Sequence, residues 1–148
     1  MKIWMDGDAC PKLIKDILFR TAIRTKIVLI VVSNHLVPIP ASPFIKRTQV
    51  GAGFDVADKQ IVDSLQPGDL VITADIPLAD EVVQKGGLAL NPRGELYSHN
   101  NIKQHLGLRN FNESVRGSGM MTGGPAKLGL KEIQRFANNL DKFIRHHI

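Results

Sequence analysis

The sequence predicts an α/β domain of three layers, in which helices cover both faces of a mainly parallel sheet of about five strands. Short apolar runs rich in β-branched residues, such as 26–32 (KIVLIVV), alternate along the chain with segments of helical periodicity. The length of 148 residues suits one hydrophobic core, so we expect a single domain over residues 1–148. With 43% hydrophobic and 22% charged residues, the composition is that of a globular chain.

The first half of the chain supplies three strands and two helices. The apolar segment 2–5 predicts a strand, and Pro11 opens a helix because proline suits the first helical turn. After the β-branched run, three prolines in 36–44 predict an irregular loop, and 47–50 is a short candidate strand. Apolar residues at helical spacing predict a helix over 55–65.

The second half repeats this alternation and ends in a long helix. The segment 69–74 (DLVITA) predicts another buried strand, and the segment 76–85 predicts the helix that follows it. A fifth strand is predicted at 88–90, and after a turn a short return strand at 95–98. Apolar residues from Ile133 to Ile148 form one stripe at helical spacing and predict the final helix.

The net charge of +5 is distributed unevenly along the chain. Residues 1–90 hold ten basic and ten acidic side chains, whereas residues 91–148 hold nine basic and four acidic ones. Such an excess is expected where the partner is a polyanion, nucleic acid first, although a solubilising basic face explains it equally well. Aromatic residues make up only 5%, which gives little support to a stacking platform for single strands.

The sequence predicts a cytoplasmic protein without a membrane anchor. The longest apolar run, 27–32, is far shorter than the roughly 20 residues of a membrane helix. The N-terminus turns acidic where a signal peptide would be apolar. The single cysteine, Cys10, cannot form an internal disulfide, and we interpret it as a core residue rather than a nucleophile.

Acidic side chains follow two of the predicted strands, and the carboxyl ends of parallel strands lie at one edge of the sheet. Asp6 and Asp8 follow the first strand, Asp75 follows a later one, and Asp55 and Asp58 begin the middle helix. Ligand crevices form at that edge where the strand order switches, so we expect these carboxylates around one pocket. Four of them also have a local explanation: Asp75 and Asp8 are candidate caps of the helices that follow them, and Asp55 with Asp58 resembles a capping pair.

Several carboxylates in one pocket need a counter-ion. Two of them about 4 Å apart repel by about 4 kcal/mol at an effective dielectric constant of about 20. Oxygen ligands without histidine or cysteine beside them suit Mg²⁺ or Mn²⁺, which would lower the pKa of a bound water and hold both oxygens of a phosphoryl displacement. The sequence therefore predicts a magnesium or manganese site.

Three basic residues are candidates for holding substrate phosphates. Arg93 lies in a predicted turn at the same sheet edge as the acids, although a tight turn alone explains its proline and glycine neighbours. Arg116 and Lys127 flank the glycine-rich segment 122–125, whose backbone N–H groups could face an anion. That segment lacks P-loop spacing, and a flexible connector to the last helix is the alternative.

Six segments in order resemble one bacterial family: MDGDACP (5–11), VGAGFDVADKQIV (50–62), VITADIPLA (71–79), ALNPRGELY (89–97), NIKQHL (101–106) and TGGPA (122–126). The chain resembles the YaiI/YqxD family over nearly its whole length. That family looks related to the PIN-like and NYN nucleases, which implies a PIN-like α/β fold with clustered aspartates that bind Mg²⁺ or Mn²⁺.

The resemblance also implies roles for particular residues. Asp6 matches the aspartate that ends the first PIN-like strand, Asp58, together with Asp55, matches the acidic helix position, and Asp75 preceded by Thr73 matches the late Thr-x-Asp element. Asp8 stands where many relatives have a neutral polar residue. The implied activity is hydrolysis of RNA phosphodiesters, with RNA preferred over DNA as partner.

The sequence therefore supports three hypotheses about function. The leading hypothesis is a metal-dependent ribonuclease-like enzyme, in which Asp6, Asp58 and Asp75 bind the metal and Thr73 orients a carboxylate or water. The second is a non-catalytic RNA-binding or adaptor protein with the same fold, whose RNA binding would survive Asp6→Asn. The third is a small-molecule phosphohydrolase that uses the same pocket.

Overall fold

The computed structural model describes residues 1–8, 10–51, 56–97, 101–102 and 129–147. Within these ranges the chain forms six strands and four helices. In chain order they are β1 (Ile3–Asp6), α1 (Lys12–Thr25), β2 (Leu29–Ser33), β3 (Ile45–Gln49), α2 (Val56–Ser64), β4 (Leu70–Ile72), α3 (Ile76–Gln84), β5 (Leu88–Leu90), β6 (Leu96–Tyr97) and α4 (Leu130–His147).

The six strands form one sheet in the order β3-β2-β1-β4-β5-β6. The first five strands of the chain are parallel, and β6 returns antiparallel to β5. In the centre of the sheet Met5 pairs with Val31 on one side and Ile72 on the other. The predicted mainly parallel sheet is confirmed, and its sixth strand is the predicted return strand. The strand order reverses between β1 and β4, which makes their carboxyl ends the switch point of the fold.

Two buried clusters separate the sheet from two helical layers. Along β1, β2, β4 and β5, alternate side chains contribute to the two clusters, because successive strand residues point to opposite faces. Ile3 and Met5 pack in the cluster that contains the apolar sides of α1 and α4. Trp4 and Val71 pack in the cluster that contains those of α2 and α3. The three-layer prediction is therefore confirmed.

The helix starts distinguish two of the predicted caps. Asp75 caps α3, since its Oδ1 accepts a hydrogen bond from the backbone N–H of Leu78 at 3.0 Å. Asp8 does not cap α1, whose N-cap is Pro11 and receives no side-chain hydrogen bond. The loop around three prolines joins β2 to β3, which lie parallel without an intervening helix.

A buried carboxylate joins the amino ends of the two switch-point strands. Asp69, which precedes β4 and is 3% exposed, accepts hydrogen bonds from the backbone N–H of Lys2 at 2.9 Å and from Nε1 of Trp4 at 3.1 Å. It also accepts from the backbone N–H of Gln66 at 3.0 Å. Three donors from two distant segments thus share one carboxylate, which fixes β1 beside β4.

Two glycines allow close approaches at the carboxyl edge of the sheet. A Cβ on Gly7, directly after β1, would lie 2.8 Å from Cγ1 of Val31. Gly94 has a φ of +90°, and a Cβ there would lie 2.7 Å from the backbone nitrogen of Phe136 in α4. The side chain of Asn139 donates a hydrogen bond to the Gly94 carbonyl at 2.5 Å, so the turn after β5 packs directly on α4.

Among the helices in these ranges, none is both long enough and apolar enough to cross a membrane.

Candidate functional site

The switch point brings Asp6 and the Thr73–Asp75 segment to neighbouring strand ends. Asp6 is the last residue of β1, and β4 ends at Ile72, which pairs with Met5. Asp6 and Thr73 therefore occupy the next position along adjacent strands. By strand alternation both belong to the face that carries α2 and α3, because Trp4 and Val71 point there.

Asp58 reaches the same edge from α2. This helix connects the carboxyl end of β3 to the amino end of β4, so its first turn, which contains Asp58, lies at the carboxyl edge of the sheet. The helix packs on the same face as α3. We call Asp6, Asp58, Thr73 and Asp75 the switch-point edge. Its four residues come from three separate stretches of the chain and lie at one edge of the sheet, on the side that carries α2 and α3.

Hydrogen bonds fix the Thr73–Asp75 segment. Thr73 is 5% exposed, and its Oγ1 accepts a hydrogen bond from the backbone N–H of Asp75 at 3.0 Å. Asp75 uses Oδ1 to cap α3, while the residue as a whole is exposed. A carboxylate can cap a helix with one oxygen and offer the other to a cation, so the two roles that the sequence suggests for Asp75 are compatible.

Asp8 is held toward the end of β2 rather than toward α2 and α3. Its Oδ2 accepts a hydrogen bond from the backbone N–H of Asn34 at 2.8 Å, and its Oδ1 lies 2.5 Å from Nδ1 of His35. Its own backbone N–H donates to Oδ1 of Asp6 at 3.0 Å. His35 was absent from the sequence-based candidates, since no spacing links it to Asp8.

The sequence predicts a pocket lined by several carboxylates, and the described residues do not form a complete site of this kind. Across residues 1–8, 10–51, 56–97, 101–102 and 129–147, no group of three or more histidine, cysteine, aspartate or glutamate side chains is arranged to hold a metal ion. Asp55 lies outside the described residues. Mg²⁺ often keeps several waters and is bound through one or two carboxylates together with substrate phosphates. The oxygen donors of Asp6 and Asp75, at adjacent strand ends, fit a site of that kind.

Arg93 lies at the predicted edge of the sheet but on the other helical layer. The turn after β5 is organised by Oδ1 of Asn91, which accepts from the backbone N–H groups of Arg93 and Glu95, both at 2.9 Å. The guanidinium of Arg93 is 3.9 Å from Oε1 of Glu132 in the first turn of α4. The other phosphate candidates, Arg116 and Lys127 with the glycine-rich segment, lie outside the described residues.

Cys10 has the environment of a core residue. It packs against the cluster beneath α1 and α4. Burial raises the pKa of its thiol to about 12, with Lys15 lowering it and Asp6 raising it by smaller amounts. A thiol in this state is protonated at neutral pH and is a weak nucleophile, which supports the core interpretation.

The model of a protein family described as "Uncharacterized BCR, YaiI/YqxD family" matches residues 4–146. The chain belongs to this family. It is similar to the UPF0178 protein of Shewanella halifaxensis, at 58% identity over 147 residues that cover 99% of this chain and 97% of the relative. It is also similar to the UPF0178 protein of Syntrophotalea carbinolica, at 56% identity over 148 residues that cover the whole of both chains. No solved structure matches significantly.

The YaiI/YqxD match includes all of the switch-point edge and most of every layer, because residues 4–146 run from β1 into the last turn of α4. The resemblance to this family is thus confirmed. The description of the family states no reaction, and the residues of the switch-point edge are the best indication of function in this chain.

Proposed function

We propose that this YaiI/YqxD protein is a PIN-like, divalent-metal-dependent enzyme that hydrolyses RNA phosphodiesters at the switch-point edge. The observation that supports it most directly is the placement of Asp6 at the end of β1 and of Asp75 just after β4, on the two sides of the point where strand order reverses. Open parallel sheets bind their ligands at such points. Carboxylate oxygens there suit Mg²⁺ or Mn²⁺.

Each residue has a distinct part in this proposal. Asp6 and Asp75 would hold the ion, and Asp58 would add a ligand oxygen from α2. Asp55 and Asp8 would act as outer ligands or as bases that position water. When bound, the ion supplies an acidified water and a counter-charge for the phosphate oxygens.

Proton transfer and positioning of the substrate are carried out by side chains of the protein. A carboxylate beside the scissile phosphate accepts the proton of the attacking water. Thr73 keeps Asp75 in place, because its buried hydroxyl accepts from the backbone at the start of α3. Arg93, Arg116 and Lys127 are the proposed phosphate contacts, with Arg93 reaching from the layer of α4.

Metal binding is tested by thermal unfolding with increasing Mn²⁺. We expect the melting temperature of the wild type to rise by about 5–10 °C at 100 times the dissociation constant, since binding to the folded state alone then adds about 2.7 kcal/mol. Asp6→Asn and Asp75→Asn should lose this rise. Asparagine caps a helix as well as aspartate does, so the second variant removes the charge while keeping the cap.

A carboxylate elsewhere on α2 provides the matched control. Asp63 is exposed at the far end of the same helix as Asp58. Asp63→Asn should respond to Mn²⁺ as the wild type does, whereas Asp58→Asn should respond less. A wild-type melting temperature that ignores Mn²⁺ up to millimolar concentration would refute the metal site.

Cleavage is tested separately on a mixed RNA pool with Mn²⁺, beside a variant with Asp6, Asp58 and Asp75 all replaced by asparagine. We expect cleavage by the wild type alone. Metal binding with RNA binding but no cleavage would refute the enzyme and leave the RNA-binding protein. Hydrolysis of nucleotide monophosphates without cleavage of RNA would instead favour the small-molecule phosphohydrolase.

A further inference from the structure

The two helical layers carry charge of opposite sign. Helices α1 and α4 together hold eight basic and three acidic side chains, whereas α2 and α3 hold one basic and four acidic ones. The first pair therefore has a net charge of +5 and the second a net charge of −3. We call the outer surface of α1 and α4 the basic face. Seven of its cations are exposed: Lys12, Arg20, Arg24, Lys131, Arg135, Lys142 and Arg145.

A groove runs along the basic face between its two helices. It has a volume of about 500 Å³, and α1 lines one side of it with Arg20 and Arg24, one helical turn apart. Ala137 and Asp141 of α4 line the other side. The small alanine leaves room between the helices, so the groove is open to an extended ligand with its positive wall on α1.

One acidic residue, Asp141, neutralises part of this positive charge. The guanidinium of Arg24 lies 2.7 Å from Oδ1 of Asp141, and the two side chains are 62% and 40% exposed. An exposed ion pair of this kind contributes little to stability and is screened by salt. Arg24 can therefore exchange this carboxylate for a phosphate oxygen at low cost.

We propose that the basic face is the surface on which a nucleic-acid backbone docks, with phosphates in the groove between α1 and α4. Charge complementarity supports this partner, because these two helices together have a net charge of +5, which equals the formal net charge of the whole chain. Exposed amides on α4, those of Gln134 and Asn138, add hydrogen-bonding groups of the kind that contact phosphates and sugars.

The structure favours a nucleic acid over an anionic membrane. A helix that binds a bilayer surface inserts an apolar side into the lipid. The apolar side of α4 is already buried, since Phe136, Leu140 and Ile144 pack in the core beneath it. Apart from Leu130 at its start, what α4 presents outward is mainly polar and basic, which suits contact with a hydrated phosphodiester chain.

This inference deepens the proposed function, because it says where the backbone of the substrate lies, but its test needs neither metal nor cleavage. Binding of a fluorescently labelled 20-nucleotide RNA, and of a DNA of the same sequence, is measured by anisotropy in EDTA between 50 and 200 mM salt. Phosphate contacts make the affinity fall steeply with salt. RNA and DNA that bind alike show backbone recognition alone, and tighter binding of RNA adds recognition of the 2′-hydroxyl; both support the proposal.

Two matched pairs of variants place the binding on one face. Asp141→Asn and Asp63→Asn remove one negative charge each, on opposite layers. We expect the first to tighten binding about fivefold and the second to change it less than twofold, as one more phosphate contact on a single strand, with a salt slope of about −0.7, is worth about fivefold near 0.1 M salt. Arg20→Gln and Lys59→Gln form the converse pair: the first should weaken binding about fivefold and reduce the salt slope by about 0.7 for RNA, and the second should not.

Equal effects within either pair would overturn the basic face, since net charge alone would then govern binding. No binding to either nucleic acid at 50 mM salt, with binding to vesicles of anionic lipid instead, would also overturn it. Asp6→Asn, which should abolish cleavage, is expected not to weaken binding in EDTA, because it removes a negative charge and no cation of the basic face. Failure of the proposed chemistry and failure of this docking surface therefore give different results.

Discussion

Asp69 should be one of the most important residues for stability, because it joins the two strands that form the switch point. Its carboxylate is buried and accepts three hydrogen bonds, two of them from residues of the N-terminal segment, Lys2 and Trp4. Asp69→Asn keeps the number of non-hydrogen atoms in the side chain but replaces one acceptor oxygen with an amide group that donates. At least one N–H group of the three then faces another donor.

The expected cost follows from this count. A hydrogen bond to a charged group contributes about 1.5–3 kcal/mol, and a buried donor left without a partner costs about 1–3 kcal/mol. We therefore expect Asp69→Asn to lower the free energy of unfolding by about 3 kcal/mol. For a domain of this size that corresponds to a fall in melting temperature of about 6–12 °C.

The assay uses Trp4, which is the one tryptophan of the chain and one of the donors to Asp69. Its fluorescence, followed with circular dichroism during guanidinium unfolding, should show a lower midpoint with an unchanged slope. Asp63→Asn, an exposed residue on α2, is the control and should stay within about 0.5 kcal/mol of the wild type. A loss below about 1 kcal/mol in Asp69→Asn would refute the structural role assigned to this carboxylate.

Three further predictions use glycine and cysteine positions. Gly7→Ala should lower the free energy of unfolding by about 1–3 kcal/mol, because its Cβ would lie 2.8 Å from a valine methyl carbon of β2. A Cβ at Gly51 would meet no atom of the described residues within 4 Å, so Gly51→Ala should change this free energy by less than about 0.5 kcal/mol, and equal effects in denaturant would contradict the packing. Gly94→Ala and Gly68→Ala both place alanine at a φ near +90°, so the backbone strain is the same in both variants. Gly94→Ala should lose about 1–3 kcal/mol more unfolding free energy than Gly68→Ala, because its Cβ also meets α4, and an equal loss in the two variants would contradict that contact. The thiol of Cys10, with its pKa raised to about 12, should react with a disulfide reagent at pH 8 only after unfolding, and rapid reaction of the folded protein would contradict this. The free energy of unfolding should fall as the pH rises from about 9 toward 12, because the thiol ionises at a lower pH in the unfolded chain than in the folded protein.

Hydropathy patterns were sufficient to predict the order and type of the elements. The β-branched run predicted at 26–32 contains the start of β2 (Leu29–Ser33), and the stripe predicted from 133 to 148 forms most of α4 (Leu130–His147). These signals are local, because burial of one side of a helix or both faces of a strand leaves a period in the sequence. Strand order leaves no such period, which is why the switch point had to come from the structure.

The residues that sequence reasoning missed act over long separations. Asp69 looked like the first residue of a strand, yet its partners Trp4 and Lys2 lie 65 and 67 positions away. The sum of charges along the chain did not indicate the basic face, for a similar reason. Summing charge over residues 1–90 gives zero because the cations of α1 and the acids of α2 and α3 cancel in the sum, although they lie on opposite sides of the sheet.

The arrangement of charge around the carboxyl edge links the two proposals. Helix α1 leaves the carboxyl end of β1, and Glu132 in the first turn of α4 contacts Arg93 at the same edge, so both basic helices begin where the switch-point aspartates lie. Helix N-termini carry partial positive charge, which adds to the cations there. A phosphodiester chain is attracted to this side and repelled by the acidic layer of α2 and α3. Under the two proposals together, the substrate reaches Asp6 and Asp75 across the basic face, which gives it a direction of entry to the carboxylates that would hold the cation.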